Sequence, residues 1–112
     1  MSKQTIRTYS RYGSEAVRLL GRLVRAARKE RGLTAQELAD RAGVSRGMVQ
    51  RIERGVPTVG IGAVFEVAAI VGVKLFDADG LELERLSRQV DDRLTLLPKS
   101  VRRKEREVID DF

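Results

Sequence analysis

Read for its apolar positions, the chain falls into five helical segments and one short alternating segment. Ala16, Leu19, Leu20, Leu23, Val24 and Ala27 recur at three- and four-residue steps and predict a first helix. Ser14 caps it, and Gly32 stops it just after Arg31. Thr34, with Glu37 three places on, forms a capping box that opens a second helix. Leu38, Ala39 and Ala42 lead that helix to Gly43 and Val44. Ser45 then caps a third helix, in which Val49 and Ile52 turn inward and which Gly55 and Pro57 bring to a stop. A fourth helix is predicted from about Val59 to Val71, where Val64, Phe65, Val67, Ala68 and Val71 close the core and Gly72 ends the run. Val73-Lys74-Leu75-Phe76-Asp77 alternates with period two and reads as a short strand. Its ladder partner has to come from a two-fold mate, because no second strand is in sight. Asp79 and Glu82 make a capping box for a fifth helix with the stripe Leu83, Leu86, Val90, Leu94 and Leu97, and Pro98 ends it. That stripe suits burial against the first helix or contact across a dimer equally.

The expected fold class is all-α, with four to five helices. Residues 1–13 form a flexible basic arm, 14–77 the main domain, 78–97 a C-terminal helix with a possible dimer contact, and 98–112 an exposed charged tail. The second and third helices carry the clearest chemistry. Ala39 is small where a larger side chain would hold two crossing helices apart, and Gly43 stands at the corner, where a left-handed backbone is cheap for glycine. Such a pair presents its second helix. On that helix Ser45, Arg46, Gly47, Gln50 and Arg51 point outward, and arginine and glutamine hydrogen-bond base edges in two-pronged fashion. The segment therefore reads as a helix-turn-helix that binds DNA, with those five residues as candidate base contacts. Small-residue spacings of this kind also arise by chance in helical hairpins, but the caps and stop signals on both sides supply the context the motif needs.

Charge sharpens the picture. The chain of 112 residues carries a formal charge of +6, distributed unevenly. Residues 1–55 hold 13 Lys and Arg against 5 Asp and Glu, a balance of +8, while residues 56–112 hold 9 against 11, a balance of −2. The basic half contains the proposed recognition helix, as an electrostatic footprint for phosphate requires. In the arm, Arg7 and Arg11 are placed to reach phosphate or the minor groove, against the plainer reading of a loose terminus. Arg18, Arg22, Arg25, Lys29 and Arg31 line the outer side of the first helix as phosphate contacts or as a solvated face. Gly60 and Gly62 weaken the first turn of the fourth helix, which suggests a need for exposed backbone there.

The absence of cysteine and histidine removes disulfides, thiol nucleophiles, zinc fingers and the commonest general base. No catalytic constellation, metal site or cofactor motif stands out, and no membrane-spanning run or signal peptide is seen. A cytoplasmic protein without enzymatic activity is expected. Because one helix reads only a few base pairs, a homodimer on a palindromic operator follows, with half-sites roughly 34 Å apart.

Arg28, Gly32-Leu33-Thr34, Glu37-Leu38-Ala39, Gly43-Val44-Ser45 and Ile52-Glu53-Arg54-Gly55 together resemble the phage-repressor-like helix-turn-helix regulators, the Xre or Cro/repressor family. The likeness runs from about Leu19 to Val73. It implies a compact repressor-like domain in which Arg28 pairs with Glu53, tying the first helix to the end of the recognition helix. It also makes Thr34, Gln36, Arg54, Gly55 and Thr58 candidate phosphate contacts, with the loop and the start of the fourth helix lying against the DNA backbone. The family usually has glutamine straight after the threonine. Here Ala35 stands there and Gln36 follows, turned about 100° around the helix. The wider plan, a repressor-like domain followed by a short strand-like segment and a C-terminal extension, looks like the HipB-like antitoxins. That likeness implies autorepression and a HipA-like kinase toxin as partner. A stand-alone repressor, or an interaction adaptor that has lost DNA binding, remains open beside it.

Overall fold

Ser10, rather than Ser14, starts the first helix. In the computed structural model, which describes residues 8–101 and 103, the Ser10 side-chain oxygen accepts the Gly13 N–H at 3.0 Å, and Ser14 N–H already donates to the Ser10 carbonyl. Helix α1 therefore spans Arg11–Glu30 and takes in three residues assigned to the arm, Arg11 among them. Gly13 inside the first turn costs about 1 kcal/mol, comparable to what one good N-cap supplies. Arg7 lies outside the described residues, as does the rest of the arm before residue 8.

Helices α2 (Ala35–Ala42), α3 (Arg46–Glu53), α4 (Ile61–Ile70) and α5 (Gly80–Leu96) follow. The fold is all-α. The chain divides after Leu75 into two compact units. In the first, α3 is the central element, packed on α1, α2 and α4, and α2 also packs on α4. The core is Val24 from α1, Leu38 and Ala39 from α2, Val49 and Ile52 from α3, Val67 and Ala68 from α4, and Val71. Burying each larger aliphatic side chain in that set contributes roughly 1.5–3 kcal/mol.

Three expectations about packing need correction. Leu19 and Leu23 are 55% and 47% exposed and Ala16 is also exposed, so the inward line of α1 runs instead through Leu20, Gly21, Val24 and Ala27. Two adjacent apolar lines share this helix, and periodicity alone does not say which one faces in. Phe65 is exposed rather than closing the core. No strand occurs among the described residues, and none forms at 73–77. The alternation there has a different cause: Val73 and Leu75 pack against the core while Lys74 faces out, and the chain then bends at 75–77, so the segment is pinned down without any ladder.

The second unit contains α5. Asp79 caps it by accepting the Glu82 N–H at 2.9 Å, but the expected capping box is only half formed. The Glu82 carboxylate holds Arg85 at 2.6 Å instead of reaching back to the cap. Helix α5 buries none of its residues. Residues 98–101 and 103 of the tail are exposed, and the remaining tail positions lie outside the described residues.

Candidate nucleic-acid interface

Local sequence chemistry sets the angle between α2 and α3. The Thr34 hydroxyl oxygen accepts the Glu37 N–H at 3.0 Å while Thr34 N–H donates to the Glu37 carboxylate at 2.9 Å, the complete capping box. Gly43 ends α2 with φ 72° and ψ 31°, a left-handed conformation that a β-carbon would strain. Val44 N–H then closes back on the Ala39 carbonyl at 3.1 Å. Two residues after the glycine, the Ser45 hydroxyl oxygen accepts Met48 N–H at 3.0 Å and starts α3. The turn is thus specified by three short-range devices: the capping box, the left-handed glycine and the serine cap.

Helix α3 has two chemically distinct faces. Val49 and Ile52 are buried, whereas Ser45, Arg46, Gln50 and Arg51 are exposed and Gly47 is half-buried. A β-carbon on Gly47 would lie 3.4 Å from an Arg51 guanidinium nitrogen, so the arginine runs back along the helix over the glycine. Among the described residues no acidic side chain pairs with Arg46, Arg51 or Arg54. Their charge remains available to a ligand.

The acidic residue of α3 is neutralised from behind. Arg28 Nε and a terminal nitrogen donate to the two Glu53 carboxylate oxygens at 2.7 and 2.9 Å, and the other terminal nitrogen donates to the Leu33 carbonyl at 2.9 Å. Only 12% of the Arg28 side chain and 8% of the Glu53 side chain remain exposed. The hydrogen bonds to Glu53 raise the Arg28 pKa; partial burial works against them, and the charge of Glu53 adds to them. One fork therefore locks α1, the turn after it and the end of α3 together.

Main-chain contacts complete the mounting. A β-carbon on Gly21 would overlap the Ile52 carbonyl oxygen and come within 2.8 Å of the Glu53 one, and one on Gly55, at φ 76°, would come within 3.0 Å of the Arg18 Cα. The backbones of α1 and the C-terminal end of α3 therefore touch. Sequence reading missed Gly21. Its signal is a glycine kept in mid-helix at a cost of about 1 kcal/mol against alanine.

Beside the fork opens a cleft of about 390 Å³, lined by Arg25, Arg28, Ala35, Gln50, Glu53 and Arg54. Ala35 leaves this space where a longer side chain at the same position would enter. Gln36 does not substitute for it: exposed on α2, its amide donates to Asp40 at 2.9 Å. Arg25 joins the site through the cleft. Of the other candidate phosphate contacts, Thr34, Arg54 and Thr58 are exposed and Gly55 is half-buried. Helix α4 begins at Gly60 with no side-chain cap, and nothing lies within 4 Å of a β-carbon built on Gly60 or Gly62. The first-turn amides of α4 are consequently open, the arrangement that receives an anion at a helix start. Among the described residues no group of carboxylates gathers to hold a metal, and no helix is long and apolar enough to cross a membrane.

This is the geometry of a helix-turn-helix protein, with α2 as the bracing helix and α3 as the presented one. Comparison with known proteins agrees. Residues 24–77 match the family model described as helix-turn-helix. The HTH-type transcriptional regulator SlrR of Bacillus subtilis is 36% identical over 73 residues, 62% of this chain and 48% of that protein. An uncharacterized HTH-type transcriptional regulator, y4mF of Sinorhizobium fredii, is 41% identical over 56 residues, 50% of this chain and 74% of that protein. The chain spans about half the length of SlrR. It belongs to the helix-turn-helix family of Xre type.

Proposed function

We propose that the chain is a sequence-specific DNA-binding repressor of transcription, acting in the cytoplasm as a homodimer that lays α3 in the major groove of a palindromic operator. The observation that carries this reading is the outward face of α3. Arg46, Gln50 and Arg51 are exposed there with no acidic partner among the described residues, on a helix whose other face is fixed in the core. Arginine matches guanine O6 and N7, and glutamine matches adenine N6 and N7. Ser45 and Gly47 form the low edge by which the helix comes close to the bases. Thr34, Arg54, Gly55, Thr58 and the open first turn of α4 take the flanking phosphates, Arg25 adds a further cation beside the cleft, and Gln36, held by Asp40, drops out of the set. Such contacts fix register, while base contacts give preference.

Selection of bound sequences from random DNA tests the reading, and a palindrome is the expected result. Arg51→Ala is expected to cost about 1–3 kcal/mol of operator binding and to relax preference at one position. Equal losses on operator and random DNA would remove Arg51 as a base reader.

The finer proposal is that the repressor is the antitoxin of a HipBA-like operon, regulating its own synthesis and neutralising a HipA-like kinase toxin. What supports it is the overall plan, with α5 and the tail standing beyond the matched residues 24–77. Expression of the native operon should then yield a complex with a kinase-sized partner. Purification of the repressor alone, with operator binding intact, favours a stand-alone regulator. Failure to shift the upstream region in a gel favours an interaction adaptor instead.

A further inference from the structure

No residue of helix α5 is fully buried, yet the helix carries a regular apolar stripe. Leu83, Val90, Leu94 and Leu97 are 40–59% exposed, and Leu86 completes their line. The pattern is symmetric about Val90: leucines stand four and seven places away on both sides. On a helix of 3.6 residues per turn those steps return to within about 40° and 20° of the starting direction, so all five share one face. A parallel mate would set each residue against its own copy whatever the spacing. Only an antiparallel mate makes use of a pattern that reads the same from both ends.

We propose that α5 pairs antiparallel with α5 of a second copy of this chain, about a two-fold axis through Val90. Val90 then meets the partner's Val90, Leu86 meets the partner's Leu94, and Leu83 meets the partner's Leu97. Open apolar space lies along both halves of the stripe: Leu83, Leu86 and Val90 line a groove of about 460 Å³, and Leu94 and Leu97 line one of about 780 Å³ beside Pro98. Charge agrees as well. Arg93 and Glu82 lie on one flank, about 60° and 80° from the centre of the stripe, and the antiparallel register runs Arg93 along the same edge as the partner's Glu82. Asp91 sits about 100° away on the opposite flank and stays in water.

Because these side chains are about half-exposed, covering five from each copy buries roughly 800 Å² in total, below the roughly 1,200–2,000 Å² of standard specific interfaces. The pair is therefore weak in free solution and is reinforced where two copies share one duplex. This gives the homodimer of the proposed function an interface and rests on that reading for its two-fold symmetry.

The chain contains no cysteine, so introduced cysteines report the register without background. In the full chain Val90→Cys is expected to form a disulfide-linked dimer under mild oxidation, and an equal mixture of Leu83→Cys and Leu97→Cys to cross-link as a heterodimer. Leu83→Cys alone should stay monomeric, because its two copies lie about 21 Å apart along the helices while a disulfide needs Cα atoms within about 7 Å. Circular dichroism checks that each variant is folded. Cross-linking of Leu83→Cys as readily as Val90→Cys overturns the antiparallel register. Failure of Val90→Cys to cross-link, in free protein and on operator DNA, overturns the α5 interface. A gel shift with the same samples separates the two readings: operator binding without cross-linking removes only the interface, and cross-linking without operator binding removes only the DNA reading.

Discussion

An acidic side chain at the end of a helix proposed to approach phosphate has to be neutralised, and Arg28 does this for Glu53 with a two-pronged hydrogen bond. Arginine suits the task because its planar fork fits a carboxylate and its charge survives partial burial. Arg28→Ala leaves the largely buried carboxylate of Glu53 alone and is expected to destabilise the first unit by about 3–5 kcal/mol. Urea unfolding measures the loss, and a change under 1 kcal/mol would mean that water replaces the guanidinium. Gly21 makes a second prediction at this scale. Gly21→Ala improves the intrinsic propensity of α1 but forces a β-carbon against two carbonyls of α3. Operator affinity should fall at least tenfold, with weakened discrimination between operator and random DNA, while helix content by circular dichroism is retained. Unchanged binding would show that the crossing adjusts without cost.

The elements show why some of this was legible in the sequence and some was not. Thr34, Gly43 and Ser45 act within three residues of themselves, so the chain announces the turn, and the outward set of α3 follows from it by periodicity. The pairing of Arg28 with Glu53 spans 25 positions and was reached only through family resemblance. Facts that depend on a neighbour's position left no local trace. Leu19 and Leu20 are equally apolar, and only the position of the core decides that Leu20 turns in. Val73 and Leu75 alternate with Lys74 as a strand does, because both pack against the core while the residue between them faces out. Gln36 stands one place from a bracing position, and Asp40, one turn on, claims its amide. The caps themselves are testable. Ser45→Ala removes the acceptor for Met48 N–H and should cost about 1 kcal/mol of stability by thermal unfolding. Ser45→Asp should retain that stability, since aspartate caps equally well, and a loss as large as alanine's would deny the serine its capping role.

At the scale of the whole molecule, charge and rigidity divide the work. The balance of +8 over residues 1–55 predicts affinity that falls steeply with salt, with the logarithm of the binding constant dropping by about 0.9 per neutralised phosphate for each logarithmic unit of salt. Arg54→Ala should lower that slope by about 1 per site and weaken all sequences alike, as measured by binding titrations from low to high salt. An unchanged slope would remove Arg54 from the phosphate contacts. Rigidity comes from elsewhere. At Gly21 and Gly55 the presented helix rests on main chain, which has no rotamers to exchange, and the fork behind Glu53 draws on neither Arg46, Gln50 nor Arg51. The bearing and the teeth are thus separate parts. Under the proposed function, substitutions at Arg46, Gln50 or Arg51 would recut the teeth for another operator while the bearing keeps its aim.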